Sequence, residues 1–151
     1  MKICFLDKTP FTYNSKNLNS PLLRGAETSL INLSTSLNKL GHKVTVINNC
    51  PKNETINNVD WLNINNINDR LSFDLSISNN DCRFFDIVNS SKKILISHSL
   101  QNIEKFIRKK QLFSYLRHKP KLALLGKYHK NRRPYITRLF GFFYLDYGVD
   151  D

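Results

Sequence analysis

Cysteine is scarce in this sequence, with three among 151 residues. Cys4, Cys50 and Cys82 lie far apart, and none forms a CxxC pair or stands at zinc-finger spacing. A disulfide framework is therefore not expected, and reduced thiols are typical of a reducing compartment. We expect each cysteine to serve as a small apolar residue. The histidines offer no metal-ligand set either, so neither a metal site nor a bound cofactor is predicted.

Long apolar runs are also missing. Four apolar residues follow Lys2 before Asp7 interrupts them, which is too short for a signal peptide. No segment approaches the roughly 18–20 apolar residues of a membrane span. The sequence therefore predicts a cytoplasmic protein that is not integral to a membrane. Its length and its 40% hydrophobic content suit a single domain over residues 1–151.

Acidic residues are absent from one long stretch. Residues 105–138 carry 12 basic and no acidic residues, in a chain whose net charge is +11. Such a stretch favours a polyanionic partner, which could be nucleic acid, anionic lipid or a phosphorylated substrate. The alternative is a solvated face whose lysines reflect a composition rich in Lys, Asn and Ile.

The hydrophobic pattern predicts strands that alternate with helices. The apolar runs at 2–6 and 43–47 predict buried parallel strands. Between them, leucines at helical spacing predict a helix from Ala26 to Leu40, with Gly41 as its left-handed cap. Further strands are predicted at 59–64, 73–78, 92–97, 121–125 and 142–147, and residues 48–58 are predicted to be loop.

Helices are predicted between the later strands. One short helix spans 81–88 with Asn80 or Asp81 as N-cap, and a longer one runs from Ser99 to Leu116. Residues 127–133 are a basic loop or short helix. The alternation predicts an α/β fold, Rossmann-like, with a mostly parallel sheet and helices on both faces.

Ligands of such sheets bind beyond the carboxyl ends of the strands. The loop after Leu6, the loop after Ile47 and the turn around His98 meet this condition. The first loop leads to Arg24 and Gly25, where free helix amides and a fixed cation suit an anion such as a diphosphate. The alternative is that Gly25 only makes a tight turn. The dinucleotide fingerprint and the P-loop are both absent, so NAD binding gains no support.

The first fifty residues carry an ordered set of motifs. A short apolar strand opens the chain, Gly25-Ala26-Glu27 follows, and a helix ends in leucine and Gly41-His42-Lys43-Val44 before the second strand. This set resembles the opening of the GT-B glycosyltransferases of the large retaining, sucrose-synthase-like group. Arg24 stands where that group has the first glycine of its turn.

The resemblance implies one half of an enzyme. In that group a second domain holds the nucleotide-sugar through a pair of spaced glutamates, and this sequence ends in a Gly-Val-Asp like the one that closes the first domain. It implies a metal-independent transferase whose co-substrate is a nucleotide-sugar. The acceptor would be a glycan or lipid-linked sugar, and the missing half would be a C-terminal domain or a partner chain. Turnover by this half alone is not expected.

The resemblance also suggests roles for particular residues. His98 would lie beside the reacting sugar and is the candidate catalytic residue, with capping of the next helix as its alternative role. Arg24, Gly25 and Asp7 are the candidate substrate or phosphate ligands, and Lys8, Tyr13 and Asp81 are weaker candidates. His42 is interpreted as structural, and His118 and His129 as solvent-exposed.

The basic stretch is interleaved with aromatic residues, a pattern of membrane interfaces and of single-stranded nucleic-acid sites. The candidate contacts are Arg108, Lys109, Lys110, Arg132 and Arg133. Because the resembling transferases often act on lipid-linked acceptors, the inner membrane face is the preferred partner and nucleic acid the less favoured one. A core position for the aromatics, or an inactive remnant of a transferase, are the alternatives.

Overall fold

The computed structural model describes residues 1–98, 103–132 and 135–145, with the side chains of 103–105 and 132 excepted. An eight-stranded sheet runs through these residues. The strands are β1 (Lys2–Leu6), β2 (Lys43–Asn48), β3 (Glu54–Ile56), β4 (Val59–Asn63), β5 (Leu71–Asn79), β6 (Val88–Ser97), β7 (Lys121–Leu124) and β8 (Phe142–Tyr144).

The strand order is β3-β4-β2-β1-β5-β6-β7-β8, and every pairing is parallel except that of β3 with β4. Without β3, the parallel strands follow the order 3-2-1-4-5-6-7, which is the doubly wound Rossmann arrangement. The chain changes direction between β1 and β5, so this is the topological switch point. The predicted fold class is confirmed.

The helices are α1 (Gly25–Lys39), α2 (Ile103–Arg108), α3 (Gln111–His118) and α4 (Lys127–Arg132). At the end of α1 the His42 amide donates to the Leu37 carbonyl and the Gly41 amide to the Asn38 carbonyl. Gly41 has a φ of 87°, so this is the left-handed glycine cap that the sequence predicts. Leu40 was predicted to belong to the apolar stripe of this helix, and that prediction was wrong, because the side chain is 74% exposed.

The two faces of the sheet carry separate cores. On β1, Ile3 and Phe5 pack with residues of α1 on one face. Cys4 and Leu6 point to the other face, where they join the core that includes Phe106 of α2. All three cysteines are buried and none forms a disulfide.

The predicted loop at 48–58 was wrong in part, because it contains β3. Asn57 and Asn58 have φ of 51° and 61° and join β3 to β4 as a two-residue hairpin. Both residues are left-handed, as in a type I′ turn, and Asn tolerates that conformation better than most residues. The alternation of apolar and polar residues that predicts strands did not reveal β3, because this strand has only three residues and lies at the sheet edge.

The single helix predicted from Ser99 to Leu116 was also wrong. Its first residues, 99–102, lie outside the described part of the chain. The described remainder forms two helices, α2 and α3, which are separated at Lys110 (φ 56°). The Lys110 amide bonds the Ile107 carbonyl at 2.8 Å and so closes α2.

The remaining strands are confirmed within a few residues, and positions 146–147 of the last one lie outside the described residues. The short helix predicted at 81–88 is a 3₁₀ helix over Cys82–Ile87 with Asp81 as its N-cap. The basic segment at 127–133 forms the short helix α4 over its described residues.

Replacing Asn58 by glycine should stabilise the chain. A left-handed conformation costs an L-residue about 1–2 kcal/mol that glycine does not bear, partly offset by the glycine's extra freedom in the unfolded state. We expect Asn58→Gly to raise the free energy of unfolding by about 0.5–1 kcal/mol in urea titrations. The matched change Asn58→Ala should lower it, and equal stability of the two variants would contradict the turn geometry.

Candidate functional site

A crevice opens at the switch point, beyond the carboxyl ends of β1 and β5. Asp7 directly follows β1, and Asn79 is the last residue of the neighbouring strand β5. Leu6 pairs with Ser78, so Asp7 and Asn79 are the next residues of the two strands. Glu27, in the first turn of α1, and His98, after β6, belong to the same region. The sheet order therefore brings polar side chains from four separate segments to the same end of the sheet, and of these Asn79 and His98 line the cleft at the switch point.

The Asp7 carboxylate is buried and accepts a hydrogen bond of 2.6 Å from the Tyr13 hydroxyl. Burial raises the pKa of Asp7, and the charge of Glu27 raises it further, against the lowering effect of the Tyr13 bond. Burial also raises the pKa of Tyr13, as does the negative charge of Asp7. Tyr13 therefore remains a protonated donor, which holds the carboxylate at the centre of the crevice.

Three buried polar atoms around this pair have no hydrogen-bond partner among the described residues. They are Oε2 of Glu27, Oδ1 of Asn48 and Nδ2 of Asn79. The Asn79 amide still lies near enough to Asp7 to lower its pKa. Buried polar groups are normally paired, so Oε2 of Glu27 and Oδ1 of Asn48 are two acceptors that water or a hydroxyl group would satisfy.

The loop between β1 and α1 closes the inner part of the crevice. Nδ2 of Asn14 donates to Glu54 at 2.9 Å, and Nζ of Lys16 makes a salt bridge of 2.6 Å to the same carboxylate. Nδ2 of Asn48 donates to the Tyr13 carbonyl at 3.0 Å. The Tyr13 ring packs edge-on against Trp61, with centroids 6.1 Å apart. These contacts fasten Tyr13 in the crevice and couple it to the single tryptophan.

His98 lines the outer part of the crevice. A cleft of about 30 Å³ lies there, bounded by Phe5, Ser29, Leu30, Leu33, Asn79, Ile96, His98 and Leu145. The His98 amide donates to Oδ1 of Asn80 at 2.9 Å, which fixes the backbone. Burial lowers the pKa of the His98 ring, and the charge of His129 lowers it further. At neutral pH the ring is therefore neutral and can donate or accept a hydrogen bond.

Arg24 and Gly25 occupy the exposed start of α1. The Arg24 guanidinium lies 5.5 Å from the centre of the Phe11 ring and does not line the cleft. Gly25 has a negative φ, and a Cβ placed on it would meet no atom within 4 Å. Neither backbone strain nor crowding therefore requires glycine here. The open space above it is available to a ligand.

Other predicted candidates have local partners. Asp81 caps the 3₁₀ helix that follows it and binds Arg83 at 2.6 Å, so it stabilises a turn. Lys8 is exposed. The prediction that His118 is solvent-exposed was wrong, because its Nε2 lies 2.9 Å from Asp86 and its side chain is 12% exposed. His129 is only half-buried, and its Nδ1 is buried, so the same prediction fails for it.

The basic candidates Arg108, Lys109 and Lys110 are exposed at the turn between α2 and α3. Arg133 and the side chain of Arg132 lie outside the described part of the chain. The interleaved aromatics divide into two groups: Phe106 and Tyr115 belong to the core, whereas Phe113, Tyr128 and Tyr135 are exposed. Helix α3 packs on the face of the sheet opposite α1, so this basic turn is separate from the cleft.

Sequence reasoning missed Asn48 and Asn79 and interpreted Glu27 only as a dipole residue. A usable signal was present, because both asparagines end strands at the carboxyl edge of the sheet. Comparison with known proteins adds no candidate: no family model, no curated protein and no solved structure matches the chain. Among the residues that the structure describes, no group of three His, Cys, Asp or Glu could hold a metal ion.

Replacing Tyr13 by phenylalanine should destabilise the fold. The change removes the Tyr13 hydroxyl donor from a buried carboxylate, and hydrogen bonds to charged groups contribute about 1.5–3 kcal/mol. Urea unfolding followed by Trp61 fluorescence should show a loss of that size. Tyr135→Phe is the matched control, because Tyr135 is 87% exposed, and it should change the stability little. Equal stability of the two variants would show that the Asp7 bond contributes nothing.

The ring of His98 should titrate below pH 6.5. The unfolded chain takes up this proton near pH 6.5, whereas the folded chain does so only at lower pH. The contribution of His98 to stability should therefore be present above pH 6.5 and fall as the pH drops to the folded value. Ring resonances measured by NMR against pH give the midpoint directly.

His129→Gln should raise the His98 midpoint, because it removes a neighbouring positive charge, while burial keeps it below pH 6.5. His42→Gln removes a histidine beyond the amino ends of the strands and should leave the midpoint in place. Two results would contradict these causes: a His98 midpoint that His129→Gln leaves unchanged, or a midpoint at or above pH 6.5 in the unaltered chain.

Proposed function

We propose that this chain is the acceptor-side half of a glycosyltransferase that moves a sugar from a nucleotide-sugar donor to a glycan or lipid-linked acceptor. One observation supports the proposal most: Asp7, Glu27, Asn79 and His98 all lie at the switch point near the start of α1, and Asn79 and His98 line its cleft. Carboxylates, amides and a neutral imidazole are the groups that bind sugar hydroxyls, and free helix amides suit a phosphate.

Each group has a distinct part in this proposal. Asn79, which lines the cleft, would donate a hydrogen bond from its Nδ2 to an acceptor hydroxyl, and the buried Oε2 of Glu27 and Oδ1 of Asn48 would accept from water molecules behind it. His98, neutral at physiological pH, would hydrogen-bond a sugar hydroxyl at the outer edge of the cleft. The exposed amides at Gly25, with Arg24 beside them, would face the phosphate of the donor.

The cleft is small enough to be only one half of a binding site. A cleft of about 30 Å³ holds one or two waters, whereas pockets for small molecules usually enclose about 300–1,000 Å³. A sugar nucleotide therefore needs a second wall. In the proposal that wall is a donor-binding domain, on the same chain or on a partner, and this half binds ligands weakly and turns nothing over without it.

The test is a titration of the isotopically labelled chain, observed by NMR, with inorganic pyrophosphate and separately with D-glucose. Pyrophosphate should shift the backbone amides of residues 25–27, and glucose those of Asp7, Asn79 and His98. Gly25→Ala should weaken pyrophosphate binding at least several-fold, because the new Cβ enters the open space at the helix start. Its stability should be unchanged or higher by up to about 1 kcal/mol, since alanine is the better helix former.

Asn32→Ala is the matched control, because Asn32 is exposed on the same helix away from its start. That variant should bind pyrophosphate as the unaltered chain does. No shifts at the crevice with either probe, at concentrations in the tens of millimolar, would contradict the proposal. Shifts confined to the basic turn after Ile107 would show that anions bind there instead.

A further inference from the structure

Helix α3 and the turn before it present an outer surface that combines apolar and basic side chains. Phe113 and Leu116 are 73% and 41% exposed, and Ile107, just before the turn, is 53% exposed. Arg108, Lys109 and Lys110 follow Ile107 directly and are exposed as well. We call these six residues the α2–α3 outer face.

The fold does not need these apolar residues for its core. The opposite side of α3 is already buried: the Tyr115 ring lies 5.5 Å from that of Phe106 and 5.1 Å from that of Phe140. The Asp86 carboxylate also holds α3 in place. It accepts a hydrogen bond of 3.2 Å from the Ser114 hydroxyl, and it lies 2.9 Å from Nε2 of His118. Phe113 and Leu116 are three residues apart, so they share the remaining, outward side of the helix.

Charge on this face is of one sign. Arg117, also on α3, is paired with Asp86 at 3.3 Å. Among the described residues no ion pair is found for Arg108, Lys109 or Lys110. The sequence from Lys105 to Arg138 holds no acidic residue, and the side chain of Glu104, just before this stretch, lies outside the described part of the chain. Lys110 is left-handed and closes α2, so the three consecutive cations stand on one tight turn.

We propose that the α2–α3 outer face docks on an anionic membrane surface, with Phe113 and Leu116 entering the headgroup boundary and the Arg108–Lys110 turn over the lipid charges. Apolar residues on one side of a helix with cations beside them are the requirement for interfacial binding. The exposed Leu116 and Ile107 favour lipid over nucleic acid, since a base stacks on an aromatic ring or an Arg plane and these aliphatic side chains offer neither.

The docking surface does not depend on the proposed transferase activity. It lies on the face of the sheet opposite α1, and its residues do not line the cleft. If both proposals hold, a lipid-linked acceptor is brought to the protein at the membrane. A vesicle experiment without any sugar tests the docking alone. A chain that fails to bind vesicles would not contradict the function proposed for the crevice.

The experiment measures co-sedimentation of the chain with vesicles of phosphatidylcholine containing 30 mol% phosphatidylserine, and with vesicles of phosphatidylcholine alone. The chain should bind the anionic vesicles, and binding should fall as salt rises. Neutralising Lys109 and Lys110 together, as Lys109→Gln and Lys110→Gln, should weaken binding roughly 25-fold, since each cation near the surface contributes about fivefold. Phe113→Ala should weaken it roughly tenfold through lost apolar burial.

Two matched controls separate this face from general charge and hydrophobicity. Lys39→Gln with Lys43→Gln removes the same charge from the amino-end side of the sheet, and Leu22→Ala removes an apolar residue that is 75% exposed on the β1–α1 loop. Both should bind the vesicles as the unaltered chain does. Trp61 emission verifies that each variant is folded.

Three outcomes would overturn the proposal. One is equal binding to neutral and anionic vesicles, and another is an equal loss in the control variants. The third is that the chain does not bind the vesicles but binds single-stranded RNA, and that this RNA binding depends on Lys109 and Lys110. That last result would identify the face as a nucleic-acid surface.

Discussion

The central position of β1 is the constraint on which the rest of this structure depends. The strand is paired on both edges, with β2 and β5, and its residues from Ile3 to Leu6 are buried on both faces. Its carboxyl end therefore falls at the switch point in the middle of the sheet. The next residue, Asp7, is carried into the interior with it, and the chain must stabilise a carboxylate that is only 6% exposed.

The contacts that stabilise the buried Asp7 carboxylate also determine the shape of the crevice. Burial of a carboxylate is costly unless donors meet it, and the Tyr13 hydroxyl supplies the short bond that the site needs. To deliver that hydroxyl, the β1–α1 loop folds inward and is fastened to Glu54 on the edge hairpin. A three-residue edge strand that has no part in the parallel sheet thus helps to hold the central polar group of the crevice.

Periodic patterns made most of this fold predictable from the sequence. Four apolar residues between Lys2 and Asp7 identify β1, and the leucine spacing with Gly41 identifies α1 and its cap. The strand β3 was missed because three residues at a sheet edge show little alternation, and the break at Lys110 was missed because a left-handed lysine leaves little local signal. Of the crevice, Asp7, Gly25 and His98 could be predicted from their places after strands or before a helix, whereas the burial of Tyr13 could not. Which loop residue turns inward depends on contacts between segments, such as Tyr13 with Trp61, that no periodicity encodes.

The sheet also separates the charges of this basic chain. The crevice holds two carboxylates, Asp7 and Glu27, although the net charge of the chain is +11. The cations of the α2–α3 outer face lie across the sheet and in water, where ionic screening acts within about 10 Å. They therefore do not neutralise the crevice, and Glu27 raises the pKa of Asp7 with no cation among the causes that oppose it. Phosphate is consequently disfavoured inside the crevice and suited only to its rim at Gly25, while uncharged hydroxyls suit the interior. A transferase that keeps the acceptor sugar inside and the donor diphosphate at the mouth would need this division.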